Sequence, residues 1–255
     1  MKVVRAAVFA NRKKPQMAAL RQEVEKFLCA HGVLPSSKKP QLVITIGGDG
    51  TVLYHKRHYG VPYFAIGSNT SFICQSTFAN WRNKLARTIA SLRTEPRLML
   101  SCSIDGRKMP FSLNEIGIRN PEPRVLSLHL EVSRRGAVMA TCAGRQTARG
   151  AQRRHYAFRA DGLLFCTPTG SPAYCYSCDG KQMPKGSSCY QAVAISPFRR
   201  TFAPTVLPGN ARCTLRLSGP ERAKFFIDGH CFRPFTSKNT LKVWTSEKPF
   251  LFAKI

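Results

Sequence analysis

A strand-like apolar run passes directly into a glycine-rich pentapeptide. Leu42–Ile46 is rich in β-branched residues, residues 47–51 read Gly-Gly-Asp-Gly-Thr, and a helical pattern follows from Val52. A strand that ends in glycines and opens a helix points backbone N–H groups at one position, which is how phosphate is held without a side-chain cage. This part of the chain is therefore predicted to be a strand-turn-helix unit that binds a phosphate.

Asp49 is the single carboxylate in this turn. Because phosphate repels a carboxylate, Asp49 needs another role, such as accepting a proton from a hydroxyl nucleophile or contacting magnesium. The structural alternative is that Asp49 caps the helix of an ordinary tight turn. The pentapeptide alone supports the two interpretations equally.

The hydrophobic pattern divides the chain near residue 100. In residues 1–100, strand patterns alternate with helical ones, which predicts an α/β N-terminal domain with a parallel sheet. In residues 101–248, short strands are separated by Asp-Gly and similar turn signals, which predicts a mainly β C-terminal domain. Residues 249–255 are predicted to form a C-terminal strand that can return to the first domain.

The chain carries a formal charge of +27 over 255 residues. Such a charge attracts polyanions, including nucleotides, polyphosphate, nucleic acid and acidic membrane surfaces. The basic residues form short clusters without interleaved aromatics, which favours a solvated basic surface over a dedicated nucleic-acid site. No apolar stretch approaches the roughly 20 residues of a membrane span, so no membrane segment is expected.

Ten cysteines are scattered along the chain, and most lie in apolar runs. Reduced, buried thiols are the simplest interpretation, and they predict a cytoplasmic protein. Cys175 and Cys178 have the spacing of zinc sites and redox dithiols, and that use stays open beside simple helix packing.

Two further segments give the pentapeptide its context. Leu113, Asn114 and Glu115 close a strand-like run, and residues 161–174 combine an Asp-Gly turn, a buried strand and a Thr-Pro-Thr-Gly-Ser loop that ends in Ala-Tyr. In this order and spacing, the chain resembles the NAD kinase family, whose two-domain fold the resemblance also implies. The likeness extends from Leu42 to about Gly229, where Asp228 and Gly229 match another family element.

The resemblance implies roles for individual residues. Asp49 would accept the proton of the 2′-hydroxyl of the adenosine ribose as that oxygen attacks the γ-phosphorus of the donor. The phosphate contacts would be Gly47, Gly48, Gly50 and Thr51. The contacts to NAD would be Asn114, Glu115, Arg159, Asp161, Thr169, Ala173 and Tyr174. For Asn114 and Glu115 an ordinary strand-end hydrogen-bond pair is the alternative. Tyr174 by itself is more typical of a core position than of a ligand contact.

The chain departs from the family pattern in its loops. Pro172 replaces a usual Thr or Ser and removes one hydroxyl and one N–H from the dinucleotide loop. His230 stands where Gln is common, and residues 65–72 keep only Asn69 and Phe72 of the usual turn. An active enzyme with altered substrate preference is the expectation.

The resemblance therefore implies an NAD kinase that uses Mg²⁺ with ATP and assembles as a homodimer or homotetramer, and the surplus positive charge adds inorganic polyphosphate as an alternative donor. No side chain is assigned as a dedicated metal ligand. Two alternatives remain: a lipid or sphingoid kinase that shares the Gly-Gly-Asp-Gly-Thr element, and a non-enzymatic polyanion-binding protein on a kinase scaffold.

Overall fold

The computed structural model describes residues 2–11, 14–56, 60–134 and 152–255. The chain separates into two compact units, Met1–Arg97 with Pro249–Ile255, and Leu98–Lys248. Within the described ranges, no helix has the length and apolar character that a membrane crossing requires.

The elements alternate between strand and helix early in the chain and become almost entirely strands later. The helices are α1 (Gln16–Ala30), α2 (Asp49–His55), α3 (Trp81–Ala90) and α4 (Tyr174–Ser177). The strands are β1 (Arg5–Ala10), β2 (Leu34–Pro35), β3 (Leu42–Ile46), β4 (Tyr63–Gly67), β5 (Ser76–Thr77), β6 (Thr94–Arg97), β7 (Leu100–Ile104), β8 (Arg107–Lys108), β9 (Glu115–Arg119), β10 (Leu126–Arg134), β11 (Gln152–Ala160), β12 (Gly162–Cys166), β13 (Tyr190–Ile195), β14 (Thr205–Leu207), β15 (Ala211–Leu217), β16 (Ala223–Ile227), β17 (His230–Phe235), β18 (Leu241–Thr245) and β19 (Phe250–Ala253).

The first unit is built on one sheet with strand order β2-β1-β3-β4-β19-β6, and β5 also pairs with β4. The pairs β1/β3 and β3/β4 are parallel, whereas β19 is parallel to β4 and antiparallel to β6. All five residues of β3 are buried, as its largely apolar sequence requires for a central parallel strand. The carboxyl end of this buried strand carries the glycine-rich turn.

The second unit contains two antiparallel six-stranded sheets, ordered β11-β10-β15-β18-β7-β8 and β14-β13-β12-β9-β16-β17. Apolar residues from both sheets form one buried cluster, so the sheets pack face to face. The strand β12 is buried at every position, because Leu163 and Phe165 join this cluster while Leu164 and Cys166 join a second one. The second cluster includes Cys175 of α4, which places α4 on the outer face of the β12 sheet.

Candidate functional site

The glycine-rich turn in the first unit depends on backbone conformations that favour glycine. Gly47 has a φ of +138° and Gly48 a φ of +104°. A Cβ on Gly47 would lie 2.7 Å from the Asn11 Cβ and 2.7 Å from the Thr51 Oγ1. Since such contacts are closer than side chains tolerate, Gly47 cannot be replaced without movement of the turn. Gly50 meets no such obstruction.

The carboxylate of Asp49 is held by the loop that follows β4. Its Oδ2 accepts a hydrogen bond from the Phe72 N–H (2.9 Å), and its Oδ1 accepts one from the Ile73 N–H (3.1 Å). Gly48, not Asp49, is the N-cap of α2, and the cap makes no side-chain hydrogen bond. The interpretation of Asp49 as the cap of its own helix is therefore wrong: its carboxylate reaches across to a second loop because it sits one position inside the helix.

Two neutral side chains, those of Cys74 and Thr51, lie in this part of the first unit, and Cys74 contacts the carboxylate. The Cys74 Sγ donates to the Asp49 Oδ1 at 3.6 Å, and burial, followed by the charge of Asp49, raises the pKa of Cys74 to about 12. Cys74 therefore remains a thiol near neutral pH. The Thr51 hydroxyl is buried and has no hydrogen-bond partner among the described residues. Phe72, next to these groups, leaves 55% of its surface exposed.

In the second unit, Asp228 organises the start of β9. Its side chain is buried, and its backbone is left-handed with a φ of +49°. Its carboxylate accepts hydrogen bonds from the Ser112 hydroxyl (2.7 Å) and from the N–H groups of Leu113 (3.1 Å), Asn114 (2.8 Å) and Glu115 (3.1 Å). Four donors on one anionic group fix the backbone that carries the Asn-Glu pair. The Asp-Gly turn is visible in the sequence, whereas this role of Asp228 depends on contacts that are more than 100 residues apart along the chain.

The Thr-Pro-Thr-Gly-Ser loop packs against the same backbone. The Thr167 N–H donates to the Asn114 carbonyl at 2.9 Å, and the Thr167 hydroxyl donates to the Leu113 carbonyl and accepts from the Gly170 N–H. A Cβ on Gly170 would lie 2.4 Å from the Asn114 carbonyl oxygen. Gly170 is therefore required for the close approach of loop and strand. The structure thus brings the Asn-Glu pair and the predicted dinucleotide loop together.

Two buried side-chain oxygens in this cluster have no partner in the part of the chain that the structure describes. The Asn114 Oδ1 and the Thr169 Oγ1 have no hydrogen-bond partner among the described residues, although both residues are buried. Buried polar atoms are normally satisfied, and an unsatisfied one costs about 1–3 kcal/mol. A polar ligand that reaches these atoms would remove that cost. Glu115 is buried beside them.

The remaining predicted residues occupy two places. Ala173 is the N-cap of α4, and Tyr174 begins that helix half-buried against Phe226, with the ring centroids 6.4 Å apart. Burial, and then the Cys178 thiol, raise the pKa of Tyr174. Arg159 is exposed at the end of β11, where its guanidinium lies 5.2 Å from the centre of the Phe198 ring.

Asp161 connects β11 to β12. Its N–H donates to the Ile195 carbonyl (2.9 Å), and its carbonyl accepts from the Asn120 N–H (2.7 Å). These contacts fix the backbone at Asp161. Across the described ranges of both units, no group of three or more His, Cys, Asp or Glu side chains is placed to hold a metal ion.

Known sequences are similar to this chain over most of its length. Residues 114–255 match the sequence model of the ATP-NAD kinase C-terminal domain. The NAD kinase of Methanospirillum hungatei is 28% identical over 260 residues, which cover 93% of this chain and 89% of the relative. The NAD kinase of Acidobacterium capsulatum is 26% identical, with coverage of 88% and 84%.

Two solved structures share the fold. The structure of an NAD kinase from Archaeoglobus fulgidus in complex with ATP superposes with a TM-score of 0.76 at 22% identity, covering 98% of this chain and 93% of the other. Yeast NADH kinase complexed with NADH gives a TM-score of 0.81 at 16% identity, covering 100% and 84%. At these identities the likeness establishes the fold.

The family model and the similarity to NAD kinases over most of the chain define the class of this protein, which is a kinase. The family match covers more than half of the sequence, and the chain belongs to the ATP-NAD kinase family. These findings confirm the family, the kinase class and the NAD kinase activity predicted from the sequence.

Proposed function

We propose that this chain transfers the γ-phosphoryl group of ATP to the 2′-hydroxyl of the adenosine ribose of NAD, giving NADP, with Asp49 as proton acceptor. The observation that carries the proposal is the orientation of Asp49 by two backbone N–H groups at the glycine-rich turn. A catalytic base must be positioned before its basicity matters. Two amide donors fix the plane of the carboxylate while each oxygen keeps further acceptor capacity.

The donor end of the reaction would lie at the same turn. Gly47, Gly48, Gly50 and Thr51 are the proposed phosphate contacts, with the glycines allowing close approach of backbone to phosphate. Phe72 offers an exposed ring on which a purine can stack beside Asp49. The first unit, predicted as residues 1–100 with the C-terminal strand, is thus proposed as the donor and catalytic domain.

Magnesium would enter with the triphosphate. Mg²⁺ is commonly held by substrate phosphates, waters and only one or two carboxylates, which suits a turn with Asp49 as its single acid. When bound, Mg²⁺ neutralises charge on the phosphates. Asp49 would accept a hydrogen bond from the attacking hydroxyl and take its proton as the new bond to phosphorus forms, while the bond between the γ-phosphorus and the bridging oxygen breaks and ADP leaves.

The dinucleotide would be bound by the second unit, predicted as residues 101–248. Asn114 and Glu115 would hold ribose hydroxyls, because an amide and a carboxylate can both accept hydrogen bonds from them. The Asn114 Oδ1 and the Thr169 Oγ1 are buried and find no partner within the described ranges, which supports a polar ligand at this place. The further proposed contacts to the dinucleotide are Ala173, Tyr174, Asp161 and Arg159.

We also propose that the protein is cytoplasmic and assembles as a homodimer or homotetramer.

The test is a coupled assay of NADP and NADPH formation that crosses NAD and NADH with ATP and polyphosphate in the presence of Mg²⁺. Asp49→Asn is expected to lower kcat by about 100-fold or more, since the amide cannot accept the proton. Asp105→Asn is the matched control, because Asp105 is also an acceptor of backbone and side-chain hydrogen bonds but lies on an exposed turn of the second unit. It should leave kcat unchanged.

The outcomes separate the remaining possibilities. If Asp49→Asn keeps its circular dichroism and stays within a few-fold of the original kcat, Asp49 is not the base. Phosphorylation of a lipid without NADP formation would identify a lipid kinase. Salt-dependent polyanion binding without any transfer would indicate a binding protein on a kinase scaffold.

A further inference from the structure

The second unit contains a cavity of about 400 Å³ beside α4. Its walls include Arg119 of β9, Lys224 and Phe226 of β16, Tyr174 of α4 and Gly229 of the following turn. A volume of this size falls within the range of sites for small organic ligands. Arg119 and Lys224 belong to none of the ligand contacts proposed above.

Two cations lie side by side in the wall of this cavity. Arg119 and Lys224 are directly opposed in the antiparallel β9/β16 pair, so their side chains emerge on the same face of the sheet. Both are exposed, and the described residues that line the cavity include no Asp or Glu. Like charges at opposed positions repel each other. An anionic group placed between the two would convert this repulsion into attraction.

The neighbouring wall is aromatic. Tyr174 and Phe226 lie side by side, and their rings are inclined at 38°. Arg119 stays close enough to the Tyr174 hydroxyl to oppose the effect of burial on its pKa. A flat ring can therefore rest on apolar surface while an attached anion reaches the two cations.

The cavity and the predicted ribose contact Glu115 lie on the same face of β9. Glu115 and Arg119 are four residues apart on β9 and thus project from the same face, about 13 Å apart along the strand. Between them, Gly117 has no side chain, and a Cβ there would lie 2.6 Å from the Phe226 ring. The strand therefore presents a ribose-binding acid at one end and an anion-binding cation at the other.

We propose that this cavity is a subsite for a phosphate-bearing nucleotide, in which Arg119 and Lys224 hold the phosphate and the rings of Tyr174 and Phe226 support the base. The proposal rests on the proposed function in one respect: the nucleotide would then be one half of NAD, anchored beyond Glu115. A free nucleotide offers the same chemistry, and the experiment separates the two sources.

The experiment measures binding of NAD, AMP and adenosine by calorimetry to the full chain and to an Arg119→Gln/Lys224→Gln variant. We expect dissociation constants for NAD and AMP to rise by about tenfold or more, with no change for adenosine, which lacks the phosphate. A loss for AMP with unchanged NAD would assign the subsite to a free nucleotide. Lys224→Gln alone leaves Arg119 beside Tyr174 and should show part of the same loss.

The matched control is Arg107→Gln/Lys242→Gln, which removes two exposed positive charges from β8 and β18 of the same unit. Because the chain has a net charge of +27, any loss of charge weakens anion binding somewhat. The proposal would be overturned if the control variant lost as much NAD and AMP affinity as the Arg119→Gln/Lys224→Gln variant, or if that variant lost as much affinity for adenosine. It would also be overturned if NAD and AMP affinity did not change, or if neither ligand bound to the unaltered chain. Calorimetry measures binding without turnover. If the kinase assay shows no NADP formation, the proposed function fails, but the binding result still tests the subsite.

Discussion

Replacement of Asp228 by Asn tests how much one buried carboxylate, which joins distant parts of the second unit by hydrogen bonds, contributes to stability. Asp228 Oδ1 accepts from Ser112, Asn114 and Glu115, whereas Oδ2 accepts from the Leu113 N–H. Asn tolerates a left-handed backbone about as well as Asp does, so the substitution adds little backbone strain. What changes is the charge and one acceptor.

The magnitude follows from those four contacts. If the amide oxygen of the substituted side chain takes the Oδ1 position, three hydrogen bonds persist without their ionic assistance, and the new N–H₂ group faces the Leu113 N–H. Losing one acceptor in a buried site costs about 1–3 kcal/mol, and hydrogen bonds to ions are about twice as strong as neutral ones. The lower cost of burying a neutral amide offsets part of this. The free energy of unfolding should fall by about 2–4 kcal/mol.

Urea unfolding can measure this loss through a local probe. The chain has two tryptophans, Trp81 in the first unit and Trp244 in the second, so a Trp81→Phe background lets Trp244 report the second unit. Asp228→Asn should move the Trp244 midpoint to lower urea without changing the slope. Asp105→Asn is the control: Asp105 also has a left-handed backbone before a glycine, but it is exposed. A shift no larger than that of the control would refute the argument.

Two further predictions concern the loop and helix that follow β12. Gly170→Ala should weaken NAD binding and lower the free energy of unfolding by about 1–3 kcal/mol, because the new methyl group meets the Asn114 carbonyl. Calorimetry and urea unfolding would measure the two effects, and an unchanged NAD affinity would contradict the prediction. Burial raises the pKa of Cys178 to about 11 from its ordinary value of 9.0, so its thiolate fraction near pH 8 should be about 100-fold lower than that of a solvated thiol. Mass spectrometry should find that exposed Cys29 is alkylated first and that Cys178 reacts faster as the pH rises towards 11; equal rates at pH 8 would contradict the assigned burial.

Local features of the site could be predicted from the sequence because each depends on neighbouring residues. Leu42–Ile46 forms a strand, and Gly47 and Gly48 after it adopt positive φ angles, as an apolar run ending in glycines indicates. The long-range contacts could not be predicted. Asp49 binds the N–H groups of Phe72 and Ile73, in a segment that departs from the family pattern, so no short motif indicated that its carboxylate reaches a second loop.

The same limit explains why Arg119 and Lys224 were missed. Each is one basic residue among 40 lysines and arginines, and nothing near it in sequence sets it apart. The two residues become neighbours only because β9 pairs with β16. The Asp228 turn follows β16, and its carboxylate accepts a hydrogen bond from the Asn114 N–H, which connects β16 to the Asn-Glu segment. Charge that is diffuse along a sequence becomes specific when a sheet register brings two cations to one face. The net charge therefore predicted an attraction to anions, whereas the place at which an anion would bind required the fold.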